Sequence, residues 1–140
     1  MKILLAFDGS SGAVAAAEFV KKIIKEGDEV TGLFVLTNAD EPIKVDLFEG
    51  TRTFDNVENF IFYLRDLFKA IFENKNFKFA YKFDDKNNIP RVVLNFVKEN
   101  GFEMIVTGTR KLKGFEKLIL GSVSQALIVE SNIPVLVVPP

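Results

Sequence analysis

The chain has 140 residues, of which 48% are hydrophobic and 26% charged, which fits one globular domain able to bury an ordinary core. Lys and Arg number 18 against 19 Asp and Glu, a net charge of −1, which disfavours a dedicated nucleic-acid binder with its basic excess. Cysteine and histidine are both absent, which excludes disulfides, thiolate metal sites, Cys nucleophiles, Ser–His pairs and imidazole bases.

Met1 to Phe7 opens like a signal peptide, but its apolar run ends at Asp8, short of the roughly 7–15 residues of such a segment. No stretch approaches the roughly 18 apolar residues of a membrane span, so no membrane partner and a cytoplasmic protein are expected. Ile3 to Phe7, closed by Asp8-Gly9-Ser10, predicts a buried strand ending in a loop. Ser11 to Glu26 predicts a helix opened by a serine cap and closed by Gly27, its alanines permitting close approach to a sheet. Val30 to Leu36 predicts a second strand.

Thr37 to Thr53 shows no clear period, so the expectation is a mobile functional segment or a partly disordered one. Phe54 to Lys75 predicts a helix: Val57, Phe60, Ile61, Leu64, Leu67, Phe68, Ile71 and Phe72 recur at three- and four-residue steps. Phe77, Phe79, Tyr81 and Phe83 alternate with Lys78, Ala80 and Lys82, a period of two that suits a sheet-edge strand. Pro90 to Asn100 predicts a helix with proline in its first turn and Gly101 beyond its end. Met104 to Thr107 predicts a buried strand, Ser122 to Glu130 a last helix, and Val135 to Val138 a last strand. Alternating strands and helices without linker or repeat predict a single-domain α/β fold over residues 1–140, a doubly wound parallel sheet with helices on both faces.

The stretch from Gly108 through Arg110, Lys111 and Gly114 to Gly121-Ser122-Val123 starts at a strand end and finishes at a helix start. Ligands of open α/β sheets bind beyond the carboxyl ends of the strands, and a helix N-terminus offers free N–H groups to an anion. Glycines let the backbone approach a phosphate. The stretch is neither a GxxxxGK[ST] loop nor a GxGxxG turn.

It instead resembles the signature of the universal stress protein family: glycine, two residues, glycine, nine residues, then glycine and serine or threonine. Gly108 fills the first position and Gly121-Ser122 the last, while Lys111 replaces the middle glycine. Ile3 to Ser10 resembles the family's opening strand and Asp-Gly-Ser turn, and Ser131 to Val138 its closing strand. Thr37 to Asn88 resembles it poorly. The resemblance implies five strands in the order 3-2-1-4-5, with the loops after strands one and four side by side and Asp8 facing Gly108. It implies ATP as ligand, with or without Mg²⁺. Asp8, with Gly9 and Ser10, would meet ribose or phosphate, and the backbone of Val35 the adenine. Gly108, Arg110, Lys111, Gly114, Gly121, Ser122 and Val123 would surround the phosphates. It also implies a homodimer paired through Val135–Val138, which covers an apolar edge strand.

Each of these residues has a plainer use. Ser122 with Gln125 fits a capping box, and Asp8 and Ser10 fit the cap of the first helix. Gly108 and Gly121 fit a strand end and a turn, and the lysines fit a solvated face. Lysine at 111 either blocks the phosphate site by strain or adds a charge to it, since a left-handed conformation there would cost about 1–2 kcal/mol. Three functions remain open: a regulatory module holding ATP without efficient turnover, the same dimer with a dead site, and a slow ATPase using Asp8.

Overall fold

The structure is a computed structural model that describes residues 1–109 and 120–140. In chain order the elements are β1 (Lys2–Ala6), α1 (Ser11–Ile23), β2 (Glu29–Leu36), β3 (Ile43–Leu47), β4 (Gly50–Phe54) and α2 (Val57–Ile71). β5 (Phe77–Phe83), α3 (Ile89–Asn100), β6 (Met104–Gly108), α4 (Ser122–Glu130) and β7 (Val135–Val138) follow.

The apolar runs become a five-stranded sheet ordered β5-β2-β1-β6-β7, in which every pairing is parallel. Counted among these five strands alone, that is the expected 3-2-1-4-5. β1 lies at the centre because it is apolar toward both faces. Ile3, Leu5 and Phe7 join a core under α1 and α2, while Leu4 joins a second core under α3 and α4. Strand side chains alternate between faces, so one continuous apolar run feeds two helix layers. No helix among the described residues is long and apolar enough to cross a membrane.

The larger core is aromatic. Phe68 of α2 meets Phe7 edge to face at 5.2 Å and Phe72 at 4.6 Å, and all three rings are buried. Each buried ring contributes on the order of 1.5–3 kcal/mol by leaving water. α1 packs closer because Ala13, Ala16 and Ala17 present no bulk to the sheet.

Three expectations are corrected. Residues 37–53 are not an irregular segment: most of them form the antiparallel hairpin β3–β4, with Ile43 opposite Phe54 and Leu47 opposite Gly50. Phe54 consequently closes β4, and α2 begins at Val57 after Asn56, whose side chain accepts the Asn59 N–H at 2.9 Å. α1 stops at Ile23 rather than Glu26. The hairpin is fastened to α2 by Arg52, whose guanidinium lies over the rings of Phe54 at 4.8 Å and Tyr63 at 5.0 Å. The Tyr63 hydroxyl donates to Glu49 at the hairpin turn.

Candidate functional site

The carboxyl ends of β1, β2 and β6 open into a cleft of about 260 Å³ that the start of α4 closes from one side. Asp8 and Ser10 enter it from the turn after β1, Val35 from β2, and Thr107 to Thr109 from β6. Gly121, Ser122, Val123 and Ser124 supply the wall at α4, while Ile89 and Val93 of α3 supply an apolar side.

The β1–α1 turn is built by its own polar groups. The Asp8 carboxylate accepts the Ser10 N–H at 3.0 Å, and the Ser10 hydroxyl oxygen accepts the Ala13 N–H at 3.3 Å. Ser10 is therefore the cap of α1, as its plainer use required. A hydroxyl oxygen that accepts still carries a proton to donate, so capping leaves Ser10 with a donor at the cleft.

α4 differs. Its cap residue is Gly121, and among the described residues no side chain accepts from its first turn. The capping box expected of Ser122 and Gln125 does not form. Ser122 is the first residue of the helix rather than its cap, so its hydroxyl lies one position too late to reach back. Gln125 Nε2 instead donates to the Leu120 carbonyl at 2.8 Å. The opening N–H groups of a nine-residue helix thus lie at the cleft with no side-chain acceptor among the described residues, a partial positive charge suited to an anion. Behind them the buried Ser124 hydroxyl meets that of Thr107 at 3.1 Å and ties α4 to β6.

Gly108 has a packing reason of its own. Its backbone abuts that of Gly12 at the start of α1, where neither residue has room for a side chain. Gly9 does not line the cleft. Its carbonyl accepts the Phe48 N–H at 2.9 Å, and at φ +78° it lies beneath Leu47 and Leu64. The structure thus brings Asp8, Ser10, Val35, Gly108, Gly121, Ser122 and Val123 around one cleft and turns Gly9 toward the hairpin. Arg110, Lys111 and Gly114 lie outside the described residues.

Sequence reasoning missed Gly12, Thr107, Ser124, Ile89 and Val93. The Gly12–Gly108 contact joins elements far apart in the chain and leaves no local signal. Val93 was visible only as a residue of the predicted helix, and Ile89 only as the residue before its proline. Among the described residues, no group of three or more acidic side chains could hold a metal ion, and Asp8 is the one carboxylate in this cleft.

The profile of the Universal stress protein family matches residues 1–139. No curated protein matches the chain. A protein of the universal stress protein family from Burkholderia pseudomallei superposes with a TM-score of 0.70 at 20% identity, covering 99% of this chain and 96% of that one. A universal stress protein family protein from Arabidopsis thaliana, solved with AMP bound, gives 0.69 at 16% identity over 99% and 91%. A universal stress protein in complex with cAMP gives 0.63 at 16% identity over 99% and 95%.

Proposed function

The chain belongs to the universal stress protein family, and on that premise we propose that it is a cytoplasmic, homodimeric regulatory module that holds ATP without efficient turnover. The observation that carries the reading is the uncapped start of α4, opening into the cleft that Asp8 and Ser10 share. Polyphosphate lies against the N–H groups of Ser122 and Val123 and the Ser122 hydroxyl, which donate where negative charge is densest. Asp8 faces the ribose hydroxyls, which donate to its carboxylate. The base lies against Val35, Ile89 and Val93, whose apolar surfaces line the opposite end. The AMP and cAMP complexes of two structurally similar proteins support an adenine nucleotide as the ligand class.

Weak turnover follows from what the cleft lacks. Among the described residues one carboxylate lines it, and the chain has no histidine, so these residues supply no paired base and leaving-group acid. A divalent ion accompanying ATP would be held by the phosphates, with Asp8 as the protein oxygen available to it.

The dimer forms through β7. It is an edge strand with Val135, Leu136 and Val137 half-exposed, and an apolar groove between it and Phe19 of α1 runs alongside. Pairing the strand with its copy buries both.

A second reading, the same dimer with a dead site, is favoured by the packing role of Gly108, which explains that glycine without a ligand. Thermal shift with AMP and ATP separates the two. Binding that raises the melting temperature in wild type, but not in Asp8→Ala with Ser122→Ala, supports the nucleotide module. No shift with either nucleotide leaves the dead-site dimer. Sedimentation equilibrium at twice the chain mass is expected in both cases, and a monomer overturns the β7 pairing.

A further inference from the structure

β3 and the segment leading into it from β2 wall an open second compartment of about 800 Å³ beside the first cleft. The two share Asp8, Ser10, Gly12, Phe34, Val35 and Thr109 as lining residues, so they are neighbours at the ends of the strands. Resting on the nucleotide reading above, we propose that this compartment takes the second nucleoside of a dinucleotide whose adenosine occupies the first cleft.

Size is the first argument. Ligand sites for small organic molecules run to roughly 300–1,000 Å³. The first cleft, at about 260 Å³, accommodates part of a dinucleotide only, and the second adds the room for the rest.

Lining chemistry is the second. Phe34 is partly exposed on the floor and is held from behind by the buried Phe60, edge to face at 5.2 Å, which leaves its apolar surface for a planar base. Asp40 and Asp46 stand on the rim, where carboxylates accept from ribose hydroxyls. Charge is the third. Among the described lining residues Asp8, Asp40 and Asp46 outnumber Lys44, so the hairpin side of the compartment disfavours further phosphate and suits a neutral or cationic base. Phosphate stays on the α4 side, and sugar and base cross to the hairpin side. Dinucleotides span a doubly wound sheet in this manner, across the ends of its strands.

Calorimetric titration of the full chain with AMP, oxidised nicotinamide adenine dinucleotide and diadenosine triphosphate tests this. At least one dinucleotide is expected to bind about fivefold or more tighter than AMP, the gain of one aromatic contact. Val45→Trp fills the second compartment from the hairpin and is expected to abolish that gain with AMP affinity unchanged. If that variant also loses AMP, Asp40→Ala decides, because a reduced gain supports the second site and an undiminished one overturns it. Dinucleotides that bind no tighter than AMP overturn the inference and leave the adenine reading standing. Failure of AMP and both dinucleotides, with ATP giving no thermal shift either, overturns the nucleotide reading, and the inference with it.

Discussion

Gly12 and Gly108 meet backbone to backbone. A Cβ on Gly108 would lie 2.2 Å from the Gly12 carbonyl oxygen, and one on Gly12 would lie 2.2 Å from that of Thr109. The start of α1 can cross the end of β6 only because both positions are bare, and that crossing brings Asp8 and Ser10 to the same cleft as α4. Gly108→Ala forces backbone against backbone, where no side chain can rotate away. A loss of about 1–3 kcal/mol is expected, as for other overpacked sites. Urea denaturation measures it, and an unchanged midpoint contradicts the close approach.

Gly9 carries two constraints at once. At φ +78° a side chain costs about 1–2 kcal/mol, and a Cβ there would also stand 2.9 Å from Leu47 and Leu64. Gly9→Ala is expected to destabilise by at least the backbone share. Adding Leu47→Ala relieves the crowding against Leu47 but neither that against Leu64 nor the strain, so the double variant is less destabilised than the sum of the singles. Strict additivity would show that the hairpin does not press on this turn.

The buried hydroxyls of Thr107 and Ser124 pair across β6 and α4. Ser124→Ala removes one partner and costs about 0.5–1.5 kcal/mol. Thr107→Val in the same chain takes away the group left unpaired, so the second change costs less than it does alone. A double-mutant cycle in thermal denaturation reads the coupling, and a coupling of zero refutes the tie.

Tyr63 gives a pH dependence. Burial, then the hydrogen bond to Glu49 and its negative charge, push the phenol up to about 12 from the ordinary 10.0. The unfolded chain therefore loses this proton at lower pH than the folded one. The contribution to stability is complete below about 10 and disappears as pH rises through about 12. Ultraviolet titration of a Tyr81→Phe variant isolates Tyr63 as the one remaining phenol. Glu49→Gln is expected to lower its midpoint partway, and an unmoved midpoint assigns the whole shift to burial.

The five parallel strands were legible because each is a short apolar or alternating run bounded by turn residues, as in Ile3 to Phe7 before Asp8. The hairpin was not. β3 does alternate, with Ile43 and Leu47 buried and Lys44 and Asp46 exposed, but its partner β4 has a single buried residue, Phe54. Phe54 also falls in step with the stripe of α2, so the helix period claimed it. The cleft was legible as strand ends and a helix start, because topology sets those positions. Its internal contacts were not, because Gly12 with Gly108 and Thr107 with Ser124 are neighbours only after folding. The capping box failed for a local reason: Ser-x-x-Gln fits two registers, and Gly121 took the cap position that the pattern gives to Ser122.

The bond from the Phe48 N–H to the Gly9 carbonyl bears on how the protein can be modified. A hairpin tip is ordinarily the first choice for grafting an epitope or a fluorescent reporter, being exposed and short. Here that tip rests on the loop carrying Asp8, so a graft at Phe48-Glu49 would disturb the ligand-facing turn. The bend at Gly27, where a Cβ would meet no atom within 4 Å, is the better point for inserting foreign sequence or opening the chain to permute its termini.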